Sequence, residues 1–157
     1  MTDSMYVLSV DPGKLSGVSL LSWQKGEEPK IIWSLETNEK EFPKKIRNAL
    51  VQASFDKKEL KVVCERFIIN AATAKKSQAP YSLELIGMLK LILMDNEIEP
   101  ESIIFQSPAD AKSMFPNEKL KKVGIWHVGG EGHALDSLRH ALVFLAKSGW
   151  IPLKLLS

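Results

Sequence analysis

The chain has a single cysteine, Cys64, among its 157 residues. A disulfide within the chain and a cysteine-cluster zinc site both need at least two thiols, so both are excluded. Proteins that work in a reducing compartment commonly have few cysteines. We therefore expect a cytoplasmic protein that carries out neither dithiol chemistry nor cysteine-based zinc binding.

Long apolar runs are also missing. A membrane-spanning helix needs roughly 18 or more consecutive apolar residues, and the nearest candidate, Leu83 to Met94, is interrupted by Glu84 and Lys90. The N-terminal sequence MTDSMYV lacks the basic region and the apolar stretch of a secretory signal. We expect no membrane partner.

Neither sign of charge dominates, since 21 Lys and Arg face 19 Asp and Glu for a net charge of +2. Total charge therefore does not indicate a polyanionic partner, and the distribution of charge must decide. The sequence has no internal repeat, low-complexity tract or Gly/Ser linker. Its length is sufficient for a substantial core, and we predict one domain over residues 1–157.

Short apolar runs and amphipathic segments alternate along the chain. The apolar runs predict strands at Met5 to Val10, Val18 to Trp23, Ile31 to Leu35, Leu60 to Arg66 and Ser102 to Gln106. Helices are predicted at Phe42 to Ser54, Tyr81 to Asn96, Pro108 to Met114 and Gly132 to Lys147, whereas residues 119–123 are too few to assign. The first strand is apolar on both faces, which is typical of a central strand in an α/β protein.

Two acidic residues stand at the ends of predicted strands. Asp11 follows the first strand in an Asp-Pro-Gly turn, and Glu65 closes the fourth strand. Open α/β sheets keep their functional sites at the carboxyl ends of strands. Each acid also has a simpler explanation: an Asp that initiates a turn, or a Glu that reaches solvent. A buried Glu65 would need a nearby Lys or a metal ion, because an unpartnered buried carboxylate is costly.

The last predicted helix opens with a histidine and an acid. His133 and Asp136 are three residues apart and therefore share a helix face. A neutral imidazole and a carboxylate together suit a metal ion, and His140, one turn further, is predicted to orient Asp136. The simpler alternative is two surface histidines and an Asp near a helix start. Gly13 and Gly17 would allow close approach of a phosphate or a metal-bound substrate, and the glycines before the helix would allow DNA or another backbone to approach.

Together these residues could hold two divalent ions for phosphodiester hydrolysis, in which one ion activates water and the other stabilises the leaving oxygen. Oxygen ligands favour Mg²⁺ or Mn²⁺, and an imidazole is better tolerated by Mn²⁺. The sequence thus predicts Mg²⁺ or Mn²⁺ as cofactor.

The chain resembles the RuvC-like Holliday junction resolvases of the RNase H-like superfamily, particularly the small phage forms. The resemblance extends over about residues 5 to 147 and involves VLSVDPG at 7–13 with Gly17, VCER at 63–66, SP at 107–108 and GHALDSLRHA at 132–141. It implies a five-stranded mixed sheet in the order 3-2-1-4-5 flanked by helices. The implied activity is metal-dependent cleavage of four-way and other branched DNA by paired nicks, for a phage member inside an infected bacterial host.

The same resemblance implies a catalytic, metal-binding set of four residues: Asp11, Glu65, His133 and Asp136. Many bacterial members have a carboxylate at the position of His133, so His133 is either a metal ligand or a proton-transfer group.

Residues 66–81 contain no acid and form a candidate DNA-binding segment. Polar, basic loops beside a metal site suit phosphate contacts. The predicted DNA contacts are Lys14, Arg66, Phe67, Lys75 and Lys76. Phe67 would stack on an unpaired base, as a family aromatic near this position does, or else simply pack in the core.

The second predicted helix is apolar over more than one stripe. One face can cover the sheet, and the remainder needs another partner. We predict a homodimer with Leu85, Leu89 and Ile92 in its interface, since two active sites related by a two-fold axis suit a four-way junction. The alternative is that neighbouring helices of the same chain cover this helix.

Two other functions remain open. One is a different RNase H-like nuclease, either a terminase nuclease or an rRNA-processing RuvC relative. Another is a non-catalytic protein that binds branched DNA. The Asp-Pro-Gly turn also resembles the phosphate loop of actin-like ATPases, but those need two such domains around the nucleotide. We therefore expect no nucleotide cofactor.

Overall fold

The computed structural model describes residues 3–67, 79–126, 130 and 132–151. Its strands are β1 (Ser4–Asp11), β2 (Leu15–Gln24), β3 (Lys30–Asn38), β4 (Glu59–Glu65) and β5 (Ile104–Gln106). Its helices are α1 (Phe42–Phe55), α2 (Ala79–Asp95), α3 (Pro108–Met114), α4 (Asn117–Lys122) and α5 (His133–Lys147), with a 3₁₀ turn at Pro100–Ser102. No helix in these ranges is long and apolar enough to cross a membrane.

The five strands form one mixed sheet in the order β3-β2-β1-β4-β5. β1 pairs antiparallel with β2 and parallel with β4, β2 pairs antiparallel with β3, and β4 pairs parallel with β5. The strand order implied by the resemblance is confirmed, and the first three strands form an antiparallel meander. The carboxyl ends of β1, β4 and β5 therefore lie along one edge of the sheet.

β1 is central because its side chains enter two separate cores. Leu8 and Val10 belong to the core under α1 and α2, whereas Met5 and Val7 belong to the core under α5. All four are fully buried, and burial of a side chain of this size contributes about 1.5–3 kcal/mol. Apolar residues on both faces of β1 thus reflect helices packed on both sides of the sheet.

The fifth strand and the fourth helix differ from the prediction. Part of the predicted fifth strand is the 3₁₀ turn Pro100–Ser102, so that β5 begins only at Ile104. Helix α4 was left unassigned because Leu120 is its single buried residue, which leaves no apolar periodicity to detect. Ser107 caps α3, because its hydroxyl accepts the Asp110 backbone N–H at 3.1 Å.

The residues predicted for the dimer interface on α2 are wrong. Leu85, Leu89 and Ile92 are at most 3% exposed and belong to the core beneath α1 and α2. The stripe was misassigned because α2 is apolar on several faces, so periodicity could not show which face meets the sheet. The exposed apolar residues of α2 are Leu83, Leu91 and Met94, at 45%, 56% and 51%. We refer to these three as the outer face of α2.

Candidate active site

The turn after β1 is held from two sides. Asp11 ends the strand and is only 7% exposed. The Ser16 hydroxyl bonds both the N–H and the carbonyl of Gly13 at 3.2 Å, and the Ser82 hydroxyl of α2 donates to the Pro12 carbonyl at 3.0 Å. The turn therefore presents Asp11 in a fixed position at the edge of the sheet.

The start of α5 sits directly on β2. A Cβ atom at Gly17 would lie 1.8 Å from the carbonyl oxygen of His133, so only glycine permits this contact. On the neighbouring strand β3, the Glu36 carboxylate accepts the His133 backbone N–H at 2.9 Å and caps the N-terminus of the helix. The backbone of α5 thus occupies the space beside Gly17, where the sequence led us to expect a phosphate or a metal-bound substrate.

This docking brings His133 to Asp11. The His133 Nδ1 lies 3.3 Å from Asp11 Oδ2, which joins two residues that are 122 positions apart. The hydrogen bond to Asp11 raises the pKa of His133 above its ordinary value, outweighing the opposite effect of partial burial.

The carboxylates of the predicted set influence one another. Burial has the largest effect on the pKa of Asp11 and raises it. The hydrogen bond from His133 lowers this pKa, the negative charges of Glu65 and Asp136 raise it, and the net shift is from 3.8 to about 6. Glu65 and Asp136 have half-exposed side chains, at 23% and 27%. The sheet edge and α5 therefore gather three acids and one histidine into a single electrostatic environment.

His140 does not have the partner that the sequence predicts. Its Nε2 lies 2.8 Å from Glu65 Oε2, its Nδ1 lies 3.0 Å from the side-chain amide of Gln106, and the residue is 1% exposed. The prediction that His140 orients Asp136 is wrong because the imidazole lies beneath the ends of β4 and β5. Sequence spacing placed it one turn from Asp136 but could not show this orientation.

Asp136 is instead paired with Arg139, a residue that the sequence analysis missed. The Arg139 guanidinium bonds the Asp136 carboxylate and the Asn117 side chain, and its Nε donates to the Phe115 carbonyl at 2.7 Å. Arg139 is 4% exposed, so the pair is largely shielded from water. An acid and an arginine three residues apart on a helix are a recognisable pair, and that spacing could have revealed the contact.

The four predicted ligands are of chemical types that bind a hard divalent cation. Among the described residues, no three His, Cys, Asp or Glu side chains are grouped tightly enough to hold an ion as they stand. Asp11 contacts His133, Glu65 contacts His140 and Asp136 contacts Arg139. Carboxylate oxygens suit Mg²⁺ or Mn²⁺, and a bound cation would relieve the repulsion that raises the pKa of Asp11.

A groove beside Asp136 provides a basic surface that the sequence analysis passed over. The groove is lined by Lys112, Pro116, Asn117, Gly132, Leu135, Asp136 and Arg139. Helix α4, which borders it through Asn117, carries Lys119, Lys121 and Lys122 in its last turn. These lysines went unnoticed because the helix that presents them was not assigned.

The predicted DNA contacts are only partly described by the structure. Lys14 is exposed in the turn after Asp11, and Phe67 is half-buried. Arg66 is exposed, and its guanidinium lies 5.5 Å from the centre of the Phe105 ring. Lys75 and Lys76 lie outside the described residues. Contact of these five residues with DNA stays a prediction.

No protein-family model matches the chain, and no curated protein matches it in sequence. Solved structures do match it. Thermus thermophilus RuvC aligns with a TM-score of 0.65 and 14% identity over 93% of this chain and 98% of that one. T. thermophilus RuvC in complex with Holliday junction substrate aligns with a TM-score of 0.65 and 14% identity over 92% and 96%. The chain therefore has the RNase H-like fold of RuvC, as its sequence motifs predicted.

Proposed function

We propose that this protein is a metal-dependent endonuclease that resolves Holliday junctions and other branched DNA by paired nicks. The observation that carries the proposal is the convergence of Asp11, Glu65, His133 and Asp136, which come from β1, β4 and α5. The fold matches that of RuvC, and one of the matched RuvC structures is a complex with Holliday junction substrate. Fold and site together favour a resolvase over an unrelated hydrolase.

In this proposal, Asp11, Glu65 and Asp136 would hold Mg²⁺ or Mn²⁺, with His133 beside them. Two such ions activate the attacking water and stabilise the leaving oxygen in phosphodiester hydrolysis. Asp11 stays largely charged at neutral pH, since its raised pKa is about 6. The buried Arg139 would keep the Asp136 carboxylate in place during the reaction.

We consider two roles for His133, metal ligand and proton acceptor, and substitutions of His133 distinguish them. As a metal ligand it can be replaced by a harder donor, so His133→Asp should keep substantial activity and shift the ion preference from Mn²⁺ toward Mg²⁺. As the group that accepts the proton of water, its loss should flatten the acid limb of the pH-rate profile. Cleavage rates against pH in each metal test both roles. A wild-type rate, metal preference and pH profile for His133→Ala would exclude both.

The DNA would lie across the groove beside Asp136 and across residues 66–81, the segment that contains no acid. Lys112 shares the groove with Asp136, and the lysines of α4 continue this positive surface. Phosphates bound there would bring the backbone of the DNA to the acids. Lys14, Arg66, Phe67, Lys75 and Lys76 would contact the other side of the branch point.

One cleavage experiment tests the activity. Purified protein is incubated with a synthetic four-way junction, a matched linear duplex and an RNA/DNA hybrid, with and without Mg²⁺ or Mn²⁺. We expect paired nicks in the junction only when metal is present, and loss of cleavage in Asp11→Asn, Glu65→Gln and Asp136→Asn. Glu27→Gln, at the opposite end of the sheet, is the matched control and should cleave normally.

The substrates also separate the alternatives. Preferred cleavage of the linear duplex or the hybrid would instead identify another RNase H-like nuclease. Tight junction binding without cleavage in either metal would identify a non-catalytic binding protein.

We also propose that two copies of the chain act together. Paired nicks in a four-way junction need two active sites related by a two-fold axis. The outer face of α2 supplies three exposed apolar residues on one helix. A second copy packed on this face would bury them.

A further inference from the structure

Glu65 is held by buried side chains of two other elements. His140, from the second turn of α5, contacts Glu65 Oε2 at 2.8 Å. Gln106, which pairs with Glu65 across the β4–β5 ladder, contacts the far nitrogen of the same imidazole at 3.0 Å. Both His140 and Gln106 are nearly inaccessible to water, at 1% and 6% exposure. The chain Gln106–His140–Glu65 therefore leads from the core to a carboxylate at the edge of the site.

The neighbours of Gln106 determine the direction of these hydrogen bonds. With its amide oxygen accepting the Phe144 backbone N–H at 3.2 Å, the Gln106 NH₂ group donates to His140 Nδ1 and to the His140 carbonyl, each at 3.0 Å. His140 Nδ1 is then an acceptor, so the ring proton is on Nε2. That Nε2–H points at Glu65 and donates to its Oε2.

A histidine is energetically unfavourable at this buried position if its only role is packing. Burying a polar ring is unfavourable unless both nitrogens have partners, and a leucine would fill a similar volume without that requirement. Both nitrogens of His140 are satisfied, and one of the two partners is a proposed metal ligand. The arrangement matches a common feature of metal sites, in which a buried partner fixes the orientation of a liganding carboxylate.

We infer that His140, fixed in one tautomer by Gln106, is a positioning residue that orients the Glu65 carboxylate for metal binding. With His140 bonded to Oε2, Glu65 would be held in one orientation when it binds the ion. This inference rests on the proposed function, because it takes Glu65 to be a metal ligand. It adds that the affinity of the site is set partly from the core, by residues that touch neither the ion nor the DNA.

The test measures metal binding directly, without cleavage. Calorimetric titration of metal-free protein with Mn²⁺ compares wild type, His140→Leu, His140→Gln and the control Val143→Ala, a fully buried residue of the same helix. Loss of such a partner typically weakens metal affinity by about 10 to 100-fold, and we expect this range for His140→Leu. His140→Gln should retain most of the affinity, because its Nε2 can replace the imidazole Nε2–H. Val143→Ala should bind as wild type does.

Cleavage and spectroscopy give two further readouts. The Mn²⁺ concentration for half-maximal junction cleavage should rise in His140→Leu by the same factor as the dissociation constant, while the rate at saturating Mn²⁺ changes much less. Long-range ¹H–¹⁵N spectra of the wild-type protein should show His140 protonated on Nε2. Gln106→Met should lose this single tautomer and weaken Mn²⁺ binding even if His140→Leu does not fold.

Some results would overturn the inference and leave the proposed function intact. These are wild-type Mn²⁺ affinity in His140→Leu, equal losses in His140→Leu and Val143→Ala, or a wild-type His140 protonated on Nδ1. A wild-type protein that binds no Mn²⁺ and cleaves no junction would refute the proposed function and this inference together.

Discussion

At the scale of single residues, Asp11 is the site residue whose negative charge most opposes the stability of the fold. Its carboxylate is 7% exposed and faces the negative charges of Glu65 and Asp136. The hydrogen bond from His133 offsets only part of this effect, because the net shift of the Asp11 pKa is still upward. A position that is held charged against burial and like charges is characteristic of a functional site.

We predict that Asp11→Asn stabilises the metal-free protein above pH 6. The pKa of Asp11 rises from 3.8 to about 6 on folding, so between these values the folded state binds more protons than the unfolded state. The free energy of unfolding therefore falls as pH increases through this window. Asparagine removes the effect, and we expect a gain of about 1–3 kcal/mol at pH 8, from roughly 1.4 kcal/mol per pKa unit.

Urea unfolding in EDTA at pH 8 and pH 4 measures this difference. The raised pKa of His133 acts in the same direction, because the stability it contributes is also lost as pH rises through its folded-state value. Equal stability of the two proteins at pH 8, or a larger gain at pH 4, would contradict the prediction.

At the scale of elements, α5 assembles the site. Its first turn carries His133 and Asp136, and its second turn carries Arg139 and His140, which hold Asp136 and Glu65. The helix contacts β1, β2, β3 and β4. Small displacements of α5 would therefore separate the donors from one another.

Gly17→Ala tests the docking of α5. The added Cβ would fall 1.8 Å from the His133 carbonyl oxygen, and both atoms belong to rigid backbone elements. We expect a loss of about 2 kcal/mol or more in the free energy of unfolding, because the helix must move away from the sheet. Junction cleavage should fall strongly as well, because His133 would leave Asp11.

Ser22→Ala, toward the other end of β2, is the matched control for urea unfolding and cleavage assays. A Gly17→Ala protein with wild-type stability and rate would show that α5 does not depend on this contact.

Helix α4 provides a second test at this scale. Lys112 lines the groove that contains Asp136, and Lys119 lines a second cavity that shares Pro116 with it. Because each phosphate contact releases counterions, Lys112→Ala/Lys119→Ala should weaken junction binding and reduce the salt slope by about 1 to 2. Lys75→Ala/Lys76→Ala should do the same if the acid-free segment binds DNA.

Binding isotherms at several salt concentrations measure these slopes. Lys25→Ala/Lys30→Ala, two exposed lysines at the opposite end of the sheet, is the control and should leave the slope unchanged. A wild-type slope for either test pair would remove that surface from the DNA-binding site.

At the scale of the whole molecule, the sequence predicted the fold better than the contacts within it. The two-sided apolar pattern of β1 was sufficient to identify a central strand, and the strand-end acids indicated the edge of the sheet where the candidate site lies. Periodicity shows which residues share a face but not which neighbour that face meets. The partner of His140 and the buried face of α2 were consequently predicted wrongly, and Arg139 was missed.

The last prediction concerns assembly. Leu91 is 56% exposed at the centre of the outer face of α2. Leu91→Lys should therefore leave the folded chain intact, whereas two lysines opposed across a two-fold axis would be buried without partners. We expect wild-type protein to sediment as a dimer and Leu91→Lys as a monomer with an unchanged metal site, because every proposed ligand comes from one chain.

The monomer should make at most single nicks in a four-way junction, since paired cleavage needs two active sites held in fixed relation. Ile31→Lys, at 37% exposure on the edge strand β3, is the control and should remain dimeric with paired cleavage. If the wild-type protein is strictly monomeric at micromolar concentration, both with and without junction DNA, the outer face of α2 is not an interface. Paired nicking by two copies would then be excluded, and an enzyme that nicks one strand would fit the same active site.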